Sequence, residues 1–113
     1  MTKLMIYGAT GYTGRMAAEH AKTAGTPLVL AGRNEATLSK LASELGVDYR
    51  VFGLDEPAEV DSGLSGITVL LNCAGPFMRT AKALMTAAIR TGVHYLDTAA
   101  ELDSYRLADV LDD

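Results

Sequence analysis

Residues 8–14 read Gly-Ala-Thr-Gly-Tyr-Thr-Gly, directly after the short apolar run Leu4-Met5-Ile6-Tyr7 and directly before a stretch with helical patterning. Gly8, Gly11 and Gly14 follow a G-x-x-G-x-x-G spacing, a relative of the G-x-G-x-x-G fingerprint. A tight turn off a strand needs a first residue free to take unusual dihedrals. A second position without Cβ lets the backbone approach a pyrophosphate, and a third lets the helix press close to the sheet. The helix start then offers unpaired N–H groups and the positive end of its dipole to phosphates. Glycine spacing alone matches many unrelated turns, so the flanks have to carry the reading.

The flanks agree with it. Gly14 to Gly25 has a helical pattern, with Ala17, Ala21 and Ala24 along one face and Arg15, Glu19 and Lys22 on others. Small residues on the buried face permit a close helix–sheet approach. Gly25 stops the helix, and Pro27 leads into Leu28-Val29-Leu30-Ala31, a second apolar strand. This order of strand, glycine turn, helix and strand predicts a dinucleotide site. The alternative is a non-binding α/β domain with a fortuitous turn.

The second strand also bears on which dinucleotide binds. An NAD site places Asp or Glu about 20 residues beyond the turn, to bond the adenosine ribose hydroxyls. Here the strand ends Ala31-Gly32-Arg33-Asn34, with no acid before Glu35. A carboxylate repels a 2′-phosphate, whereas a guanidinium takes it with parallel charge-assisted bonds. Arg33 stands where that phosphate should lie, and Gly32 keeps side-chain bulk away from the adenosine. Arg15 either adds positive field or faces solvent. The competing reading of Arg33 is a solvated loop charge before an Asn-capped helix. NADP is the expected cofactor, ahead of NAD.

At 113 residues the chain is expected to form a single domain, 1–113, without room for a separate substrate lobe. Its 49% hydrophobic residues are ordinary for a soluble α/β protein. Ten basic against fourteen acidic residues give −4, so no net field recruits nucleic acid or an anionic membrane. One cysteine makes no internal disulfide, and no ligand spacing suggests structural zinc or another metal. The N-terminus runs straight into a strand without a leader pattern, and no apolar run approaches a membrane span. The expected location is the cytoplasm.

The strand–helix alternation continues along the chain. Asn34 caps a predicted helix through about Leu45, with Leu38, Leu41, Ala42 and Leu45 as its inward stripe and Gly46 after its last turn. Val47 to Phe52 reads as a third strand, with Tyr49 and Val51 on one face, and a short helix is expected around Pro57 to Leu64. Ile67 to Cys73 is the clearest central strand, uncharged as expected where helices cover both sheet faces. Phe77 to Arg90 is predicted helical, with Ala81, Leu84, Met85, Ala88 and Ile89 inward, and Gly92 stops it. Val93 to Leu96 gives a fifth strand, and Leu102 to Leu111 a final short helix. The expected fold is α/β, a Rossmann-like three-layer sandwich around a parallel sheet of about five strands in the order 3-2-1-4-5. Ligands then sit at the strand C-termini, around the switch between strands one and four.

Those edges carry the remaining candidates. Asn72-Cys73-Ala74-Gly75-Pro76-Phe77 leaves strand four and should border the pyrophosphate and the nicotinamide end. Gly75 allows close approach, and Pro76 preorganises the following helix start. Asp55 follows strand three and either accepts from an adenine amino group or serves as a turn or capping acid. Asp97-Thr98 follows strand five and either faces the same crevice or organises the turn.

Proton-transfer chemistry is much weaker. No Tyr has a Lys four residues later, and Cys73, with no basic neighbour in sequence, reads as a packed strand thiol. His94 begins strand five, away from the ligand edge, and His20 lies within the first helix without clustered carboxylates. Glu101 is a general base only if another chain or domain closes over it. The catalytic residues stay unknown.

Gly8 to Arg15 (GATGYTGR), Ala31-Gly32-Arg33, Asn72 to Phe77 (NCAGPF) and His94 to Glu101 (HYLDTAAE) together resemble the N-terminal NADP-binding domain of the saccharopine dehydrogenase-like family, which includes trans-acting enoyl reductases. The resemblance spans nearly the whole chain. It implies that Gly8, Thr10, Gly11, Tyr12, Thr13 and Gly14 line the phosphates, that Arg33 meets the 2′-phosphate, and that Ala74, Gly75 and Pro76 border the nicotinamide half. The chain departs from the family pattern at Ala100, where members often carry glycine before the glutamate. It also implies a further substrate-binding, often dimerising domain, expected here as a separate domain or a homodimer partner at the open edge beyond strand five. The expected function is the NADP-binding domain of an oxidoreductase, presenting the nicotinamide for hydride transfer. The alternatives are a non-catalytic NADP-binding or redox-sensing module, and a small scaffold with a vestigial phosphate loop.

Overall fold

Short strands separated by helical crossovers suit parallel pairing, and they pair that way here. The computed structural model describes residues 2–74 and 77–97, with backbone alone at 77–79 and 97. The strands are β1 (Leu4–Tyr7), β2 (Leu28–Gly32), β3 (Asp48–Val51), β4 (Val69–Asn72) and β5 (His94–Asp97). They form one sheet in the order β3-β2-β1-β4-β5, as the right-handed crossover rule predicts, and each neighbouring pair is parallel. Helices α1 (Tyr12–Thr23), α2 (Glu35–Leu45), α3 (Pro57–Gly63) and α4 (Phe77–Thr91) make the connections. The helix expected over Leu102 to Leu111 lies outside the described residues.

A central parallel strand must be apolar on both faces, and β1 is buried at every position. Leu4 and Ile6 pack with Ala18 and Ala21 of α1 and Leu38 and Leu41 of α2. Met5 and Tyr7 point the other way, into Val60 of α3, Leu64 just past its end, and Leu84 and Ala87 of α4. The three layers follow from this alternation. β3 is an edge strand whose Tyr49 and Val51 are exposed together, matching their shared face.

Two helices sit in a different phase from the one their hydrophobicity predicts. α1 starts two residues early, at Tyr12, and buries Gly14, Ala18 and Ala21, while Ala17 is half-buried and Ala24 lies exposed at the C-cap. Gly14 sets this phase, because it is the point where the helix touches the turn. α4 buries Thr80, Leu84, Ala87 and Ala88, whereas the expected inward residues Met85 and Ile89 are 42% and 78% exposed. Thr80 must face the sheet to donate to the Ala74 carbonyl at 3.1 Å, and that polar tie turns the larger apolar side chains outward.

Candidate functional site

β1 delivers the chain to Gly8, whose φ of +81° suits only glycine without strain. Its amide donates to the Ala31 carbonyl at 2.9 Å, and on the β4 side the Cys73 amide donates to the Tyr7 carbonyl at 2.8 Å. A Cβ on Gly8 would lie 2.6 Å from the Ala74 nitrogen and 2.7 Å from its Cα, so the turn is seated directly on the chain leaving β4. A Cβ on Gly14 would run into the Gly8 carbonyl oxygen and lie 2.8 Å from Ala9 Cα. Glycine at 8 and at 14 is therefore a demand of the fold itself.

Gly11 is different. It caps α1 with an ordinary φ of −74°. A Cβ there would meet only the Gly8 carbonyl oxygen, at 3.7 Å, an ordinary contact. The fold leaves that space open, as a group approaching the backbone from outside requires. The α1 start carries no side-chain cap and no acid in its first turn. The amides of Tyr12, Thr13 and Gly14 take no acceptor among the described residues, while Arg15 donates to the Gly11 carbonyl at 2.8 Å. Thr10, Tyr12 and Thr13 are all exposed around this point. This cradle fits a dinucleotide pyrophosphate: open N–H groups, a positive dipole end and no opposing carboxylate in the first turn.

The candidate residues for the adenosine side lie at the ends of β2 and β3. Arg33, one residue past β2, is exposed, and its Cδ lies 4.0 Å from where a Gly53 Cβ would stand. No carboxylate pairs with it among the described residues. Asp55 is exposed beyond β3. Beneath them the Tyr7 hydroxyl donates to the Phe52 carbonyl at 2.7 Å, its ring tilted on Phe52 at 5.2 Å. Burial pushes the Tyr7 phenol above its ordinary pKa, the Arg33 guanidinium pulls it down, and Asp55 pushes it up. Arg15 does not join them: it pairs with Glu19 at 3.4 Å and with Glu44 of α2 at 3.0 Å.

Ala74 is half-buried beside Gly8, whereas Gly75, Pro76, Thr98, Glu101 and the Asp97 side chain lie outside the described residues. Cys73 is half-buried against the α1–α2 core, as a packed thiol should be. His20 and His94 are exposed, and His94 opens β5 away from the ligand edge. Two contributors escape the sequence reading. Tyr7 looks like one more apolar strand residue, although a tyrosine ending an aliphatic strand signals a hydroxyl that needs a partner. The Asn72 side chain shows its importance only through what it touches.

The fold and site together define a Rossmann-type dinucleotide-binding domain. A family model, the saccharopine dehydrogenase NADP binding domain, matches residues 4–111. The chain belongs to that family, and its cofactor is NADP. A trans-acting enoyl reductase of Mycobacterium leprae is 30% identical over 106 residues, covering 88% of this chain and 25% of that protein. A saccharopine dehydrogenase-like oxidoreductase of Bos taurus is 27% identical over 119 residues, covering 87% and 27% respectively. Among solved structures, the Citrobacter sp. triphenylmethane reductase complexed with NADP(H) superposes with a TM-score of 0.71 at 25% identity, covering 85% of this chain and 37% of that one. The chain thus spans about a quarter of the length of the curated relatives it matches. Among the described residues, no helix is long and apolar enough to cross a membrane.

Proposed function

We propose that this chain is the cofactor-holding domain of a cytoplasmic NADP-dependent oxidoreductase, and that it orients the nicotinamide for hydride transfer. One observation carries the reading: an uncapped helix start at Gly11, with space the fold does not use, together with an exposed Arg33 past β2 that no carboxylate among the described residues neutralises. Gly8, Thr10, Gly11, Tyr12, Thr13 and Gly14 line the phosphates, Gly11 through its bare backbone and Tyr12 to Gly14 through their amides. Arg33 takes the 2′-phosphate and Asp55 accepts from the adenine amino group. Ala74, with Gly75 and Pro76 after it, borders the nicotinamide half. Hydride chemistry is supplied by the bound nicotinamide, while these residues contribute orientation and electrostatics. Substrate recognition and proton donation fall to a separate substrate-binding domain or to a second copy of the chain.

Calorimetric titration of the 113-residue chain with NADP and NAD tests this. Preferential NADP binding supports it, and absence of binding by the folded chain overturns it. Replacing Arg33→Ala should cost NADP about 1.5–3 kcal/mol, the range for a hydrogen bond to a charged group, and leave NAD nearly unchanged. Equal losses for the two cofactors remove Arg33 from the 2′-phosphate.

A further inference from the structure

Asn72 ends the apolar run Val69-Leu70-Leu71 and is fully buried. A buried amide is tolerated only when its donors and acceptor find partners. Its Oδ1 accepts from the Ala74 amide at 3.0 Å. Its Nδ2 donates to Thr80 Oγ1 at 3.3 Å and to the Tyr95 hydroxyl at 3.1 Å. The Thr80 hydroxyl donates in turn to the Ala74 carbonyl at 3.1 Å. Both backbone polar groups of Ala74 are thereby gripped, one from β4 and one from α4, and β5 joins through Tyr95.

Ala74 is also the residue on which Gly8 is seated, with no room for a Cβ between them. Whatever fixes the Ala74 peptide fixes the spacing between the glycine turn and the chain leaving β4. We infer that Asn72 and Thr80 are positioning residues for the nicotinamide side of the cofactor site: their bracket on Ala74 sets how closely that chain approaches the turn. The inference rests on the cofactor reading proposed above. Arg33 stands on the opposite side of β1, past β2, so the bracket does not reach the 2′-phosphate end. A bracket serving stability alone would not distinguish the two halves of the ligand.

Two ligands separate these roles: NADP, and adenosine 2′,5′-bisphosphate, which keeps the 2′-phosphate end and lacks the nicotinamide half. Thr80→Val removes the hydroxyl and preserves the shape. It should weaken NADP about fivefold, the worth of one net hydrogen bond, and hold the bisphosphate within about twofold. Thr80→Ser should restore NADP binding. Equal weakening of both ligands, or unchanged NADP affinity in Thr80→Val, overturns the inference. If Thr80→Val fails to fold, Tyr95→Phe decides by the same ratio. Failure of the unmodified chain to bind NADP would instead overturn the cofactor reading itself, and this inference with it.

Discussion

The starts of α1 and α2 lie on one face of the sheet, each just past the C-terminal end of a strand, and they are built in opposite ways. α2 closes itself: Asn34 Oδ1 accepts from the Thr37 amide at 3.2 Å, and Glu35 places an acid in the first turn. α1 has glycine at the cap, no side-chain acceptor and no acid in its first turn. A side-chain cap over alanine is worth about 1 kcal/mol, so the self-sufficient arrangement was available, and of these two helices α2 alone uses it. On the cofactor reading proposed above, the difference separates a helix start that serves the fold from one left for an external anion. It also sorts the glycines: 8 and 14 are required by neighbouring backbone, while at 11 the fold makes no such demand.

Gly14→Ala should give the largest effect. Its Cβ meets backbone at Gly8 and Ala9 rather than a flexible side chain, so α1 must lift from the turn. Overpacking of this kind costs about 2–3 kcal/mol, read from chemical denaturation, and NADP binding should be lost with it. A variant as stable as the parent would mean the contact is loose and the phase of α1 is set elsewhere. Gly11→Asp is the sharper test, because it makes α1 begin as α2 does. Stability should hold or rise by about 0.3 kcal/mol, since glycine caps only slightly less well than aspartate. NADP affinity should nevertheless fall by about tenfold or more, from a carboxylate facing phosphates at the dipole's positive end. Unchanged affinity would erase the distinction between the two helix starts. The reciprocal change, Asn34→Ala, should cost about 1 kcal/mol of stability and leave NADP affinity as it was.

The architecture was legible because local signals agreed with one another. Glycines at 25, 46 and 92 end helices with φ near +76°, +68° and +77°, and the uncharged strand around Leu70 could only be central. The glycine turn was legible for the same reason, its three glycines standing between a strand and a helix. Helix phase was not legible where a polar contact outweighed hydrophobicity. Nothing local says that Thr80 rather than Ile89 faces the sheet, because the deciding partners are Ala74 and Asn72, brought there by the fold. The Tyr7–Phe52 bond escapes for a like reason, joining residues 45 apart in sequence.

The opposite face offers a control on this division. α3 and α4 are joined at the surface by Asp61 and Arg90, with Nε and Nη2 donating to the two carboxylate oxygens at 2.8 and 2.7 Å. The Arg90 hydrogen bonds hold the Asp61 carboxyl below its ordinary pKa, against a small opposing push from burial. A depressed carboxyl means that the unfolded chain takes up the proton first as pH falls. The stability from this pair is therefore in place above the ordinary aspartate value of about 3.9 and disappears as pH drops through the lower folded value. The denaturation midpoints of the parent and Asp61→Asn should differ slightly and constantly between about pH 7 and 5, then converge below about pH 4. Their NADP affinities at neutral pH should be equal. A gap that persists into acid would mean Asp61 acts through packing rather than charge. A loss of NADP affinity in Asp61→Asn would mean that the two faces are coupled, and that the open start of α1 is held open partly from across the sheet.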